Sequence, residues 1–540
     1  MGWITKLVTV VAAVSLACLL YRKQRRSSIS DIRGPDDCAS FLLGHLKFLW
    51  HAESGVIEDR LLKEYGSVVR IKGPLSEGRL WVADPKALHQ ILQATSGLYV
   101  KLPIRRETTS IVTDKGLLCV EGEAHRRQRK AMMPAFGLTT SREYLPRFIE
   151  VIEKLDGMWK DICLNAPDGV PVTLDIAEWL GRAALDMIGK AVFEYEFGAL
   201  DRLDNPITTT YLNLVNAAFG TKPPPVNLFV SDVAQYFPPG ILSWLFERDQ
   251  TPGPVKLREN RKQVHAVART LIDAKREDMR NGDQGKDVLS LLIKGGDEAD
   301  ETLEDYEIIA QVRTLMFAGH EASSKTMAYI LWELAKNPEV QTKLRAELDA
   351  NVSAKGKIDF SAVELENMPY LNAVIKETLR MHSSLTDIIR QASEDNVLPL
   401  STPVVGSSGR TYQELHIPKG TIVHASTSGY NINPDVWGSD AQVFRPERWL
   451  EQDLSSVKTP LGVYGNMLTF SAGVRSCVGW RFAIIQLQAL VARVVREFQF
   501  FEVEDKPVTL WRPGLVVPIV AGEEAKGPQL PLKVSLVHRN

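Results

Sequence analysis

The sequence predicts a mainly α-helical protein with a small β lobe, carried behind one N-terminal transmembrane helix. Three observations predict it. Residues 122–380 follow helical spacing almost throughout, short runs of β-branched and aromatic residues gather near residues 66–84 and beyond residue 390, and the first apolar run is closed by a basic cluster. The 540 residues, 44% of them hydrophobic, are ample for a large core, and length alone would suggest several domains.

The apolar run is "WITKLVTVVAAVSLACLLY", residues 3–21, with Lys6 its only charge. As a helix it would span roughly 28 Å, about the hydrocarbon thickness of a thin bilayer, with Trp3 and Tyr21 at the two interfaces. Arg22, Lys23, Arg25 and Arg26 follow at once, so the positive-inside rule leaves the rest of the chain in the cytosol. A cleaved signal peptide is the competing reading; a basic stop rather than a small-residue cleavage site favours the anchor. The expected division is an anchor at 1–26, a linker at 27–54 and a globular part at 55–540.

Within the globular part, "GSVVRI" at 66–71 and "GRLWVAD" at 78–84 read as paired strands, and "PKALHQIL" opens a helix on Pro85. The helical stretch that follows is interrupted at "KPPP", "TPGP" and "GDQGKD". Its longest helix is expected over residues 303–336, roughly 50 Å, ending at Asn337-Pro338. It is apolar on most sides, which makes it central. "FAGHEASS", 317–324, breaks local rules inside it: Gly319 costs about 1 kcal/mol of helix propensity, and polar residues follow. Beyond residue 396, "LPLSTPVV", "TYQELHIPKGTIVHAS", "GLVVPIV" and "LPLKVSLV" read as short strands.

Lys+Arg 64 against Asp+Glu 66 give a net charge of -2, so the whole-chain balance offers no reason to expect a nucleic-acid partner. Five scattered cysteines make no disulfide framework and fit a reducing compartment. His320-Glu321 suggests a zinc HExxH motif, but position 324 is Ser and the motif fails. Cys477 could be a buried small hydrophobe, a nucleophile with a folded-back histidine, or a metal ligand. Its neighbours favour the last. Gly473 and Gly479 permit a tight turn with backbone N–H groups at the sulfur, Arg475 adds a cation, and a strongly apolar helix begins directly after, all of which favour a thiolate able to hold haem iron.

"FSAGVRSCVG" then resembles the FxxGxRxCxG haem loop of the cytochrome P450 family at Phe470, Gly473, Arg475, Cys477 and Gly479. Three further motifs occur in that family's order. "KETLR" supplies Glu377 and Arg380, "FRPERW" supplies Arg448, and "FAGHEAS" is similar to the oxygen-binding AGx(D/E)T(T/S) stretch. The resemblance runs from about residue 42 and implies one mainly helical, triangular haem domain in place of several. It implies haem b with Cys477 as axial thiolate, a structural Glu377–Arg380–Arg448 network, haem contacts at Ala318 and Gly319, and propionate partners at Arg129, Arg475 and Arg390. His125 stands where relatives carry tryptophan, four residues before Arg129, and is expected to bind the cofactor as a hydrogen-bonding substitute for that tryptophan.

What the resemblance implies about activity is insertion of one oxygen atom of O2 into a small lipophilic substrate, with electrons from NADPH through a separate NADPH-cytochrome P450 reductase. That partner would meet Arg126, Arg127 and Lys130 on a basic face. Substrate contacts are expected at residues 103–118, 214–226, 315–318, 384–388 and 514–517. The style is that of fungal microsomal members, which implies a single-pass protein of the endoplasmic reticulum membrane, in contact with membrane lipid, acting in terpenoid or other secondary metabolism. Two departures stand out. Ala322 occupies the position of the usual proton-delivering Thr, so Glu321 with Ser323, an ordered water or a substrate hydroxyl must serve; Ser323 is rotated by about 100° from that place. Ser383-Ser384 replaces the usual prolines. The missing Thr would also permit a reductase-independent isomerase or dehydratase acting on a peroxide, and a haem sensor without turnover is the third reading.

Overall fold

The strands expected near residues 66–84 form and pair antiparallel, Val68–Lys72 with Gly78–Val82. Ile422–Ser426 adds to Gly78–Val82 in parallel, Asp387–Ala392 pairs antiparallel beyond it, and Tyr99–Val100 closes a five-stranded sheet. The computed structural model describes residues 28–537 except 95–96, 168–169, 202–213, 215–222, 283–284, 286, 295–302, 353–359, 452–459 and 513. The anchor expected at residues 3–21 lies outside the described residues, and no described helix is long and apolar enough to cross a membrane. Most described elements are helices, accompanied by three smaller sheets, so the architecture is mainly α with small β units.

Residues 27–54, expected as a linker, are built into the fold from Ser28 on. Ile29, Ile32, Leu46 and Leu49 are buried, and Asp31 accepts hydrogen bonds from Ser408 Oγ at 2.6 Å and Tyr412 Oη at 2.9 Å. The helical stretch also holds one strand that local pattern does not reveal. Val172–Asp175 pairs with Pro531–Leu536, more than 350 residues away in sequence, and only that remote partner satisfies its backbone. "TPGP", read as a break, instead opens the helix Pro252–Arg280, because prolines are tolerated in a first turn whose N–H groups have no helical acceptor.

The central helix runs Asp305–Lys336. Glu304 and Glu307 form its capping box, and Pro338 begins the next helix after Asn337. It packs against the helices Ile176–Ile188, Pro103–Thr113 and Trp480–Glu497, which accounts for burial on nearly every side. Gly319 leaves the helix unbroken. A Cβ there would stand 2.3 Å from Ile188 Cδ1, so the missing side chain admits the neighbouring helix.

Candidate active site

Cys477 ends a short loop held from both sides. Its backbone N–H donates to the Phe470 carbonyl at 2.8 Å, the Ser476 N–H to the Gly473 carbonyl at 3.0 Å, and the helix Trp480–Glu497 starts three residues on. Gly473 has φ +66, and a Cβ there would lie 2.2 Å from the Leu92 carbonyl oxygen, so loop and underlying π-helical turn Gln90–Ala94 touch backbone to backbone. Gly479 has no such constraint, as its φ is -91. It contributes its N–H, which hydrogen-bonds the Cys477 sulfur and favours the thiolate. Gly473→Ala is therefore expected to lower haem content and thermal stability, while Gly479→Ala, which meets only the Phe136 ring at 3.7 Å, has a smaller effect on folding; haem-to-protein absorbance ratios and melting curves check both.

Cys477 is accessible by surface area yet closely surrounded by protein, so the thiol faces an inner cleft. Burial pushes its pKa up, while the Gly479 N–H and Arg129 pull it down. A thiolate in such a place is stabilised best by a bound metal cation.

Around this loop the fold crowds positive charge. Arg390, on the strand Asp387–Ala392, has its pKa lowered to about 10 by burial, with Glu121 opposing and Arg475 reinforcing. Lys101 is lowered to about 8 by burial and Arg475, against Glu121, with Arg390 adding to the fall. His125 is lowered to about 3 by burial and by Arg475, Lys101 and Arg129, which keeps its ring neutral near pH 7. Glu121 is the carboxylate that answers this set, through an ion pair with Arg475. Cations that depress one another's protonation call for an anion, and the two propionates of haem have that chemistry. Arg129, expected purely as a propionate partner, also clamps the loop, donating to the Ser476 carbonyl at 2.7 Å and Ser476 Oγ at 3.1 Å. Lys101 and Glu121 were not singled out by sequence. No spacing marks them; the cluster exists only where the strand Asp387–Ala392 and the loop meet residues 101–125.

The central helix carries an accessible patch of its own. Between residues 310 and 331 only Phe317, Ala318, Gly319 and Ala322 escape full burial, and Ala318 is exposed. An accessible patch inside an otherwise buried helix lines a cleft. Neither residue expected to move protons lies on it. Glu321 is buried and ion-paired to Lys325, and Ser323 is also buried. Thr326 Oγ1 donates to the Ala322 carbonyl at 3.0 Å, one turn further on.

Glu377, Arg380 and Arg448 meet in a closed network with side chains that are fully buried. Glu377 accepts from Arg380 Nε at 3.0 Å and Nη2 at 2.8 Å, from Arg448 Nε at 3.4 Å, from Trp449 Nε1 at 2.9 Å and from the Arg445 N–H at 3.1 Å. Arg380 also donates to the carbonyls of Asn431 and Ala441, and Arg448 to that of Trp437. Ser383, in place of a proline, is held by Asn431 Nδ2 at 3.0 Å.

Comparison with known proteins agrees with these features. The family model described as Cytochrome P450 matches residues 35–523. "Cytochrome P450 monooxygenase 205" of Postia placenta is 33% identical, covering 98% of this chain and 97% of its own length. "Ganoderic acid synthetase CYP5150L8" of Ganoderma lucidum is 32% identical over 98% of each chain, and "Cytochrome P450 monooxygenase claQ" of Ampulloclitocybe clavipes is 33% identical over 90% of this chain and 89% of its own. A match of this extent, spanning the cysteine loop around which the positive charge gathers, makes this chain a member of the cytochrome P450 family, a haem-thiolate monooxygenase.

Proposed function

We propose that this enzyme inserts one oxygen atom into a small lipophilic substrate, a terpenoid or other secondary metabolite, using NADPH electrons delivered by a separate reductase. The observation that carries the reading is the apolar accessible patch Phe317, Ala318 and Ala322 within residues 310–331 of the central helix, where every other residue but Gly319 is buried. Haem held through Cys477 would supply the oxygen chemistry; Arg129, Arg390, Arg475 and Lys101 would hold its propionates, and the apolar patch would face the substrate. Incubation of the purified protein with candidate terpenes and lipids, NADPH and reductase should give product only when reductase is present. Product formed from an organic peroxide without reductase would instead support the isomerase or dehydratase reading, which the hydroxyl-free patch at Ala322 favours.

The reductase would approach the proximal basic face, but its composition is narrower than the sequence suggests. Arg127 is bound to buried Glu307 at 2.6 Å and Arg126 to Glu123 at 2.9 Å. Membrane attachment is supported by exposed apolar side chains: Val226 and Val230 stand on the helix Pro225–Val233, which contacts Leu46–His51, Phe41 and Leu42 precede the latter in the chain, and Trp244 and Leu245 stand on the helix Pro239–Arg248. We read this face as resting on the endoplasmic reticulum bilayer, with the catalytic domain in the cytosol.

For proton delivery we propose Glu321, relayed by Ser323 or an ordered water. Its pairing with Lys325 means that the carboxylate must exchange partners to serve. Glu321→Gln should lower product per NADPH about a hundredfold with spectral binding of substrate unchanged. Full coupling in Ser323→Ala would remove Ser323 from the path.

A further inference from the structure

Two buried polar atoms beside the expected substrate segments have no hydrogen-bond partner in the described fold. Asp387 and His424 project from one face of the central sheet, on neighbouring antiparallel strands in which Asp387 pairs with Ser426 and Ile389 with His424. Arg512 binds Asp387 Oδ2, and also Glu58 at 2.6 Å and Thr386 Oγ1 at 2.5 Å. Asp387 Oδ1 is nevertheless unmatched. His424 is 4% exposed, and its Nε2 is unmatched as well. Such atoms are rare in folded proteins, since burying one without a partner is unfavourable.

Arg105 completes the group. Its guanidinium sits 5.5 Å over the Trp50 ring, makes no side-chain hydrogen bond among the described residues, and is close enough to act electrostatically on both Asp387 and His424. Arg79, the other arginine beside His424, is by contrast saturated: Asp232 takes bonds at 2.9 and 2.5 Å and Glu77 at 3.0 and 2.7 Å. Arg105 and Asp387 fall within the stretches 103–118 and 384–388 expected to touch substrate.

The charge balance decides what this group can bind. Three arginines face Glu77, Asp232, Glu58 and Asp387, so the cluster has no surplus positive charge with which to attract a carboxylate. What it lacks is an acceptor for Arg105 and a donor for Asp387 Oδ1. A hydroxyl is both at once.

We propose that the lipophilic substrate is an alcohol whose hydroxyl is held between Arg105, Asp387 and His424. Arg105 donates to the hydroxyl oxygen, the hydroxyl donates to Asp387 Oδ1, and His424 Nε2 borders the same oxygen. A hydrocarbon leaves all of these groups unmatched; a carboxylate sets a second negative charge against Asp387. The proposal rests on the monooxygenase reading and adds to it the functional group by which the substrate is chosen.

Titration of the haem-loaded full-length protein with dodecane, dodecanol and dodecanoate tests it, read both by the haem spin-state spectrum and by calorimetry. Dodecanol is expected to bind about tenfold tighter than either of the others. Arg105→Met should weaken dodecanol and not dodecane, and Arg105→Lys should recover part of the difference. Equal affinity for dodecanol and dodecane would assign the unmatched atoms to ordered water and overturn the proposal. Preference for dodecanoate, or no binding by any of the three, would overturn it as well, and these results need no variant to fold. The parent reading is judged separately, by reductase-dependent NADPH oxidation coupled to product, and survives or fails whichever way the titrations fall.

Discussion

Cys477→Ala is expected to give a chain that retains its secondary structure, loses the thiolate-type reduced-CO spectrum and turns over substrate only at background. Haem content by pyridine haemochromogen, the CO difference spectrum and circular dichroism of one preparation check all three. The size of the effect follows from geometry. Among the described residues the other free cysteines are Cys38, Cys119 and Cys163. Cys119 Sγ is turned to the Arg106 carbonyl at 3.3 Å and Cys163 Sγ to that of Val534 at 3.9 Å, so neither can replace the ligand. Serine in the same place does not help, because its hydroxyl lacks the low pKa by which a thiol becomes an anionic ligand. Secondary structure should survive because the loop is tied through backbone groups, Phe470 to Cys477 and Gly473 to Ser476, which alanine keeps. A variant retaining the thiolate spectrum would sink the assignment of Cys477.

The second large effect is expected from Glu377→Ala. Removing this carboxylate leaves Arg380 buried with only carbonyl acceptors, while Arg448 keeps Asp440 at 2.8 Å, and the uncompensated Arg380 charge costs about 3–5 kcal/mol. Denaturant midpoints should fall accordingly, and for a protein of this size the half-life at elevated temperature should fall with them. Glu377→Gln should be milder, since its one amide oxygen can still accept from either Trp449 Nε1 or the Arg445 N–H, which bind different carboxylate oxygens in the parent protein. If Glu377→Ala were as stable as the parent protein, the network would not be the lock between the helix Pro369–Met381 and the segment 437–449 that its hydrogen bonds describe.

Much of the site could be read in advance because its motifs are short and local. The turn from Phe470 to Gly479 contains its own reason for each residue type, and the spacing of Glu377 and Arg380 puts both on one helix face. The central helix was legible for the same reason, and its observed limits, Asp305–Lys336, fall within two residues of those expected. Lys101 and Glu121 were not legible, for their importance is electrostatic and arises only where chain segments far apart in sequence converge. Val172–Asp175 was hidden likewise, its partner strand lying at the far end of the chain.

The thiolate loop, the Glu-Arg pair, the central helix and the absence of a hydroxyl at position 322 follow from residue type at fixed local spacing and need no fold to be read. The engagement of Glu321 by Lys325, the occupation of Arg127 by Glu307, the packing of residues 28–54 into the body and the shared sheet face of Asp387 and His424 beside Arg105 emerge only in the folded chain. The reason is physical: a side chain's partners depend on what the folded chain brings within hydrogen-bond reach, and pairing across hundreds of residues leaves no local pattern to read.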